Sequence, residues 1–374
     1  MSAIVFWISI ALVLYTYLLY PLLILLLARS RGRTPRSHPQ TPPLTVVIAA
    51  HNEAQRIEAR IRDVLAQDYP AENLRVTVVD DGSTDGTAAA AALADPRVRV
   101  LRLEHNQGKA AALNAALTEV GSELVVFTDA RQRFAPGALC KLVEPFADPA
   151  VGAVSGELSI AVSEGSASGD VGLYWSMEVA LREGEARLRW LHGVSGAIHA
   201  MRRELVPVLP TGLILDDMYL PLAVVFSGKW VWMTREAIAM DSGSANAAVE
   251  FRRKLRTLAG NWQLMARLPR LLNPLGNPVF FAWVSHKLLR LIAPWALIAA
   301  LIASAVAGGS FYSAMLWLQV AAYAGAAAAI LWPRIGTRVP VLKTAGTFVM
   351  LNAAALLSLP ACVALDPRGL WKRH

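Results

Sequence analysis

Hydrophobic positions are distributed unevenly along this chain. Three stretches carry no charged side chain, namely residues 1–28, 291–332 and 344–365. The sequence between the first and second stretches mixes apolar and charged positions and is long enough for one sizeable α/β domain. Apolar residues make up 55% of the whole chain and charged residues only 17%, which argues against two ordinary soluble domains. The pattern predicts a globular domain between two groups of membrane-spanning helices.

The uncharged stretches are long enough to cross a membrane, whose hydrocarbon core takes about 20 apolar residues. Ile4–Leu27 predicts one N-terminal span. The C-terminal part predicts two or three more, over residues 288–307, 311–332 and 345–365. The last of these stays open. If it crosses fully, the basic tail at 366–374 lies outside, against the positive-inside rule.

Arginines follow the first apolar stretch directly, at positions 29, 31, 33 and 36. A cleaved signal peptide would instead carry its positive charge before the apolar run. The positive-inside rule places such a cluster on the cytoplasmic side, where it can also contact anionic lipid headgroups. We therefore predict a multi-pass protein of the cytoplasmic (inner) membrane whose globular domain lies in the cytoplasm.

Much of the net charge of +8 lies in this cluster and in a second one, formed by Arg334, Arg338 and Lys343 in the loop between two C-terminal stretches. A nucleic-acid surface would need basic residues interleaved with aromatic residues on one folded face, so nucleic acid is not an expected partner. Cys140 and Cys362 are the two cysteines of the chain and lie in different regions. They predict neither a disulfide framework nor a metal site.

Short β-branched runs alternate with Ala-rich helical stretches in the first part of the domain. The predicted strands cover residues 45–50, 75–79, 98–103 and 124–128. The first is almost continuously apolar, as expected for a strand buried on both faces of a parallel sheet. Alternating strands and helices predict an α/β fold with a doubly wound, mostly parallel sheet, in which ligands bind beyond the carboxyl ends of the strands.

Polar clusters follow three of these strands. His51-Asn52-Glu53 comes after the first, Asp80-Asp81-Gly82-Ser83 after the second, and Asp129 after the fourth. Each alone could be a turn or a helix cap, but together they predict a site at one rim of the sheet. Neither GxGxxG after the first strand nor GxxxxGK[ST] is present, which argues against a dinucleotide-dependent oxidoreductase and a P-loop enzyme.

These clusters are part of an ordered series of motifs. The series is AAHNE at 49–53, DDGSTDGT at 80–87, NQGK at 106–109, FTDAR at 127–131, LDDM at 215–218 and RRKLRT at 252–257. It resembles the inverting family 2 glycosyltransferases of the GT-A fold, over Thr45 to about Trp262. The flanking membrane segments are also typical of the membrane-integrated members of that family.

The resemblance implies a nucleotide-diphosphate sugar as donor, with uridine as the expected nucleoside. Asp81 would accept hydrogen bonds from the nucleobase, since an ionised carboxylate is an acceptor only. The implied donor-binding residues are Ala49, His51, Glu53, Asp81, Lys109, Asp129, Arg131, Arg253 and Arg256. Asp80 is expected to support the loop. For Lys109, a solvated lysine in a helix-start turn is the alternative.

The FTDAR motif departs from the family pattern, which has a second acidic residue where this chain has Arg131. Mg²⁺ or Mn²⁺ is still expected, through Asp129, because such a cation keeps several waters and bridges the phosphates of a donor. The arginine could itself contact phosphate in a bidentate way. The departure leaves the identity of the metal open.

The LDDM motif implies that Asp217 is the general base, with Asp216 beside it. An inverting transfer displaces the nucleoside diphosphate in one step, so one carboxylate must take the proton of the attacking hydroxyl. Two adjacent carboxylates also raise one pKa by repulsion. The alternative is that they begin a helix and favour its dipole. Ser195 and Gly196 are expected at the acceptor site, for which a strand-entry turn is the alternative.

RRKLRT corresponds to the QxxRW block of processive family members. Arg253 replaces the glutamine, Arg256 keeps the arginine that meets pyrophosphate, and Thr257 replaces the tryptophan. The expected function is therefore one or few sugar transfers to a lipid-linked or membrane-proximal glycan in exopolysaccharide or envelope synthesis. A processive polysaccharide synthase and a catalytically degenerate nucleotide-binding subunit remain alternatives. Membrane lipids are expected partners, and other glycan-assembly proteins are candidates.

The predicted domain organisation follows from these patterns. In chain order it is a transmembrane anchor at 1–28, a basic linker at 29–44, a GT-A domain at 45–270, an interfacial helix at 271–287, C-terminal transmembrane helices at 288–365 and a tail at 366–374.

Overall fold

A computed structural model describes residues 1–161, 169–242, 247–332 and 339–364. An eight-stranded sheet in the order β3-β2-β1-β4-β7-β6-β8-β5 is at its centre. The strands are β1 (Leu44–Ala50), β2 (Leu74–Asp80), β3 (Val98–Arg102), β4 (Leu124–Asp129), β5 (Arg133–Phe134), β6 (Val151–Ala161), β7 (His199–Arg202) and β8 (Trp230–Ser242). The predicted α/β fold with a mostly parallel sheet of the GT-A type is confirmed.

Helices cover both faces of this sheet and also form the membrane-facing part. They are α1 (Ser2–Leu14), α2 (Tyr20–Arg31), α3 (Ala54–Leu65), α4 (Thr87–Ala94), α5 (Lys109–Leu117), α6 (Ala138–Val143), α7 (Gly169–Arg187), α8 (Asp216–Phe226), α9 (Ala247–Arg267), α10 (Phe280–Trp283), α11 (Leu289–Val306), α12 (Ser310–Leu331) and α13 (Pro340–Ala364). Two π-helical turns occur in the described chain, at Tyr15–Leu19 and Val284–Leu288.

The first half of the sheet is parallel. β1 pairs with β2 on one side and β4 on the other, and β2 pairs with β3. All seven residues of β1 are buried, which explains its nearly continuous apolar sequence. The chain moves outward from β1 to β2 and β3 and then returns to place β4 on the opposite side. This reversal creates a crevice at the carboxyl ends of β1 and β4, where doubly wound sheets bind ligands.

The second half of the sheet completes the floor of this crevice. β7 pairs antiparallel with β4 and with β6, and β8 pairs parallel with β6. Apolar clusters pack on both faces of the sheet, one including Val47, Val125 and Phe127, the other including Ile48 and Val126. Alternate residues of one strand therefore contribute to opposite layers of the core. This two-sided burial fixes the strands that carry the polar clusters.

Four helices are long and apolar enough to cross a membrane. They are Ser2–Arg31, Phe280–Val306, Ser310–Leu331 and Pro340–Ala364. The described chain thus has one such helix before the α/β domain and three after it, in agreement with the predicted one N-terminal and two or three C-terminal helices. Contacts tie these helices to the domain. Tyr20 Oη donates to Glu185 Oε1 at 2.7 Å, and Trp262 Nε1 donates to Ser358 Oγ at 2.9 Å.

The predicted interfacial helix at 271–287 does not form as a separate element. A 3₁₀ turn at Pro269–Leu272 is followed by a helix that begins only at Phe280 and continues into α11. Pro274, Gly276 and Pro278 interrupt helical structure before that point. The predicted tail and most of the basic loop between α12 and α13 lie outside the described residues.

Candidate active site

Two loops at the rim of the sheet are joined by hydrogen bonds. His51 Nδ1 and the Asp81 carbonyl oxygen are 2.8 Å apart, and the Asn52 N–H donates to Ser83 Oγ at 2.8 Å. The Glu53 N–H donates to Thr87 Oγ1 at 2.9 Å. The HNE and DDGSTDGT motifs therefore form one structure, in which each segment supplies partners for the backbone of the other.

Gly82 is required at the tightest point of this structure. Its φ of +64° lies in the left-handed region, and a Cβ there would lie 2.5 Å from the carbonyl carbon of His105. Asp80 also supports the turn, because its Oδ1 accepts the N–H of Ser83 at 3.0 Å. The expectation that Asp80 stabilises the loop is confirmed.

Asp81 is fully buried beneath the NQGK turn. One carboxylate oxygen accepts the N–H of Gln107 and the other accepts the N–H of Gly108, both at 2.8 Å. These are charge-assisted bonds, which are stronger than bonds between neutral groups. Asp81 thereby fixes the turn that places Lys109 at the start of α5. Its expected contact with a nucleobase stays a prediction.

Lys109 links two carboxylates in the middle of the site. Its Nζ lies 3.0 Å from Asp129 Oδ1 and 3.0 Å from Asp216 Oδ2. Burial alone lowers the pKa of Lys109, but the attraction of Asp129 and Asp216 outweighs it, and the net shift is upward. The lysine is therefore a permanent cation. It joins the end of β4 to the start of α8.

The pKa of Asp129 is shifted in the opposite direction to that of Lys109. Burial raises its pKa, but the nearby charges of Lys109, Arg131 and Arg256 lower it more, so the net shift is downward. The carboxylate is 36% exposed, in contrast to the buried Asp216. Asp129 is thus an ionised carboxylate that faces open space at the end of β4.

Asp217 lies at the start of α8, beside Asp216. Burial and the charge of Asp216 raise the pKa of Asp217 to about 6. Its backbone oxygen accepts the N–H of Val194 at 2.9 Å, and a Cβ on Gly196 would lie 3.5 Å from its Oδ2. The glycine leaves space next to this carboxylate. A group with such a pKa, next to open space, is suited to accept a proton near neutral pH.

Arg131 is paired with another carboxylate, that of Asp241. Its Nε donates to Asp241 Oδ2 at 3.0 Å, and Gln132 Nε2 donates to the same oxygen at 3.0 Å. Asp241 is buried near the end of β8, and its charge offsets that of the arginine. Position 131 therefore does not place an unpaired cation against Asp129.

These groups line one cavity of about 650 Å³, a size typical of small-molecule sites. Arg253 and Arg256, three residues apart on α9, also line it. The predicted site residues on its wall are Ala49, His51, Glu53, Lys109, Asp129, Arg131, Gly196, Asp216, Asp217, Arg253 and Arg256. The predicted residues that do not line it are Asp81 and Ser195. Ser195 is buried behind Gly196, with its N–H bonded to Ser155 Oγ at 2.9 Å.

A family model described as "Glycosyl transferase family 2" matches residues 45–208. That segment contains β1 to β4, β6, β7 and the rim with His51, Asp81 and Asp129. Residues 45–208 are a glycosyltransferase family 2 domain. The predicted resemblance is confirmed.

Curated relatives match part of this chain. Succinoglycan biosynthesis protein ExoO of Rhizobium meliloti (strain 1021) is 36% identical over 106 residues, covering 28% of this chain and 30% of that protein. Succinoglycan biosynthesis protein ExoU of the same organism is 41% identical over 101 residues, covering 26% of this chain and 29% of that protein. The alignments thus span less than a third of either relative.

A solved structure matches nearly the whole length. The mannosyltransferase PcManGT from Pyrobaculum calidifontis, in complex with GDP-Man and Mn²⁺, has a TM-score of 0.73 and 26% sequence identity. The match covers 96% of this chain and 99% of that one. It therefore includes the helices that flank the family 2 domain as well as the domain itself.

Some features of the site were not predicted from the sequence. Asp241 was missed because it lies 110 residues from its partner Arg131, outside any motif. The segment 212–214, which lines the cavity just before the LDDM motif, was also missed. It contains only Gly, Leu and Ile, so no side-chain chemistry marked it. In contrast, the predicted residues on the cavity wall lie in or next to motifs that the sequence shows, after the strands, at the start of α8 and on α9.

Proposed function

We propose that this protein is an inverting glycosyltransferase that moves a sugar from a nucleotide-diphosphate sugar to a glycan acceptor. The observation that carries the proposal is the position of Asp217, a carboxylate with a raised pKa in a cavity that also holds Lys109, Arg253 and Arg256. Such a cavity offers a proton acceptor and a separate set of cations for a leaving diphosphate. Both are needed for a single in-line displacement.

In the proposed reaction Asp217 takes the proton of an acceptor hydroxyl as its oxygen attacks the anomeric carbon. A new carbon–oxygen bond forms, and the bond between that carbon and the donor diphosphate breaks. The electron pair leaves with the diphosphate, and the products are a glycoside and a nucleoside diphosphate. Lys109, Arg253 and Arg256 hold the leaving group, because cations stabilise the charge that develops there.

A divalent cation, Mg²⁺ or Mn²⁺, would be held by Asp129 together with the donor phosphates. The residues fit this group, since Asp129 is an ionised and accessible oxygen ligand and Asp241 offsets Arg131. Such cations are commonly bound through one or two carboxylates plus phosphates. When bound, the cation supplies further charge stabilisation to the departing diphosphate. The Mn²⁺ in the PcManGT structure supports this assignment.

The base of the donor is proposed to be uracil, on the resemblance of the DDGSTDGT motif. PcManGT carries GDP-Man, so guanosine is the second candidate. The acceptor is proposed to be lipid-linked or membrane-proximal. Residues of α9 line the cavity, and Trp262 of the same helix donates a hydrogen bond to Ser358 on a membrane-length helix. Partial similarity to succinoglycan biosynthesis proteins favours a place in exopolysaccharide synthesis. We place the protein in the inner membrane with its domain in the cytoplasm.

Donor binding tests this function. Purified protein in lipid nanodiscs is titrated with UDP-, GDP- and dTDP-sugars, with and without Mn²⁺, and single-turnover transfer is then measured on membrane extracts. We expect one nucleotide class to bind in a Mn²⁺-dependent manner and its sugar to appear in a lipid-extractable product. Failure of every nucleotide sugar to bind would contradict the proposal. A polymer ladder instead of one added sugar would favour a processive synthase.

The rate of transfer is expected to fall at acid pH. Asp217 must be ionised to accept a proton, and burial together with Asp216 raises its pKa to about 6. The ionised fraction therefore decreases about tenfold per pH unit below that value, and kcat/KM should decrease in parallel. A profile measured from about pH 5 to 8 checks this. A flat profile across that range would argue against Asp217 as the base.

Replacing Lys109 by methionine is expected to lower kcat/KM by about tenfold or more, because a charged hydrogen-bond donor to phosphate contributes about 1.5–3 kcal/mol. The lysine also lowers the pKa of Asp217, so its removal should move the acid limb of the pH profile to higher pH. Lys141→Met is the matched control, since Lys141 is 42% exposed and pairs with Glu144 outside the cavity. An unshifted acid limb in Lys109→Met would contradict the proposed coupling.

A further inference from the structure

A second polar cluster lies away from the cavity, where the domain meets the membrane-length helices. Ligand atoms of Glu185, His192 and His286 all lie within 4.8 Å of one another, and all three residues are at least 99% buried. They come from three separate parts of the chain, namely α7, the loop after it and the π-helical turn between α10 and α11. π-helical turns are rare and occur often at functional sites.

Two atoms of this cluster have no hydrogen-bond partner within the described part of the chain. They are His192 Nε2 and Glu185 Oε2. The other ring nitrogen of His192 lies 3.0 Å from the backbone oxygen of Trp190, to which it can only donate, so a neutral His192 has its lone pair on Nε2. A buried lone pair and a buried carboxylate oxygen without partners are costly unless a ligand joins them.

The groups behind this cluster are arranged as supports for metal ligands. His286 Nδ1 faces Glu185 Oε1 at 2.8 Å, while His286 Nε2 faces Glu178 Oε1 at 2.9 Å. Tyr20 Oη donates to Glu185 Oε1. Histidines that bind metals usually donate their second N–H to a carboxylate or a backbone carbonyl, and both histidines have such a partner.

Two cations near the cluster are paired with Glu178, so they do not directly oppose the binding of a metal ion. Arg290 Nη1 lies 2.8 Å from Glu178 Oε2, and Lys287 Nζ lies 4.0 Å from Glu178 Oε1. The negative charge of Glu185 is therefore available to a metal ion bound in the cluster. We propose that Glu185, His192 and His286 bind a Zn²⁺ ion, which replaces the proton on His286 Nδ1.

The ligand chemistry and spacing favour zinc. Two imidazole nitrogens and a carboxylate are a known zinc ligand set. Glu185 can bind through both oxygens, which gives a distorted four-coordinate site because the two oxygens of one carboxylate lie close together. Ligands at about 2.1 Å from one Zn²⁺ lie about 3.4 Å apart, so the ligand atoms of the three residues, which lie within 4.8 Å of one another, must move closer by up to about 1.4 Å. The ion would join α7 and the membrane-length helix to the loop that contains Val194, whose N–H binds the Asp217 backbone oxygen. Its role is structural, so it does not depend on the proposed transfer reaction.

Metal content tests the site. The full chain is produced in zinc-supplemented medium with an affinity tag that contains no histidine, and it is purified without a metal resin. We expect one Zn²⁺ per chain by elemental mass spectrometry. Zinc-edge X-ray absorption should show imidazole nitrogens at about 2.0 Å. A wild-type protein without stoichiometric zinc, or with zinc in a sulfur or all-oxygen environment, would overturn the proposal.

Variants locate the ion. His192→Ala should lower zinc content to about a tenth of the wild-type value or less. Glu185→Gln, which keeps the shape of the side chain, should also lower it, and serves if the alanine variant does not fold. His199→Ala is the matched control, because His199 is buried with Nδ1 at 2.8 Å from a backbone oxygen and Nε2 without a described partner, yet lies outside the cluster. Zinc retained in both His192→Ala and Glu185→Gln would contradict the site, as would its loss only in His199→Ala.

Discussion

Asp217→Asn is expected to reduce kcat by about 10³-fold or more while donor affinity changes by less than about threefold. The amide keeps the size of the side chain at the start of α8 but cannot accept a proton. The donor is proposed to bind elsewhere in the cavity, to Lys109 and the arginines of α9, so its binding should persist. Transfer of a radiolabelled sugar gives kcat, and calorimetric titration of the donor gives its affinity.

Asp216→Asn is the matched control for this experiment. Asp216 precedes Asp217 and forms an ion pair with Lys109, but its carboxylate is buried. We expect a smaller loss of kcat and a shift of the acid limb to lower pH, because the charge of Asp216 raises the pKa of Asp217. If Asp217→Asn retained transfer within about tenfold of wild type, Asp217 would not be the base.

The part of the fold that positions the site was predictable because its signals are local. β1 is buried on both faces and reads as a continuous apolar run, so its position and the polar residues that follow it could be assigned from the sequence. The carboxyl ends of parallel strands meet at one edge, which brought His51 and Asp129 to one cavity as expected. Pattern and topology together were sufficient for these residues.

The remaining features depend on pairs of residues that are distant in sequence. The partner of Arg131 is Asp241, on a strand that pairs with β5 and β6 rather than with the parallel half. Likewise His286 contacts Glu185 across 101 residues, and no periodicity in either segment indicates that contact. Such contacts depend on how helices and edge strands pack in three dimensions. The local pattern of a single sequence does not indicate that packing.

The position of Asp81 alters how its role should be tested. In the sequence it resembles a nucleobase contact, whereas in the structure both of its oxygens accept N–H groups, those of Gln107 and Gly108. Asp81→Ala would leave these N–H groups without an acceptor, at a cost of about 1–3 kcal/mol each. We expect a lower melting temperature and donor affinity reduced by about 10- to 100-fold, since the turn positions Lys109. At saturating donor, kcat should change less.

Nucleotide dependence distinguishes the two roles of Asp81. If it acts through the turn, Asp81→Ala should weaken the binding of UDP and GDP by the same factor, because the diphosphate that both share is the proposed partner of Lys109. If Asp81 binds the base, its replacement should weaken the binding of one nucleotide and leave the binding of the other unchanged. Asp95→Ala is the control, since Asp95 also accepts a backbone N–H, that of Arg97 at 2.8 Å, but lies outside the cavity. Equal losses for both nucleotides, with Asp95→Ala unchanged, would make Asp81 a positioning residue for the diphosphate site.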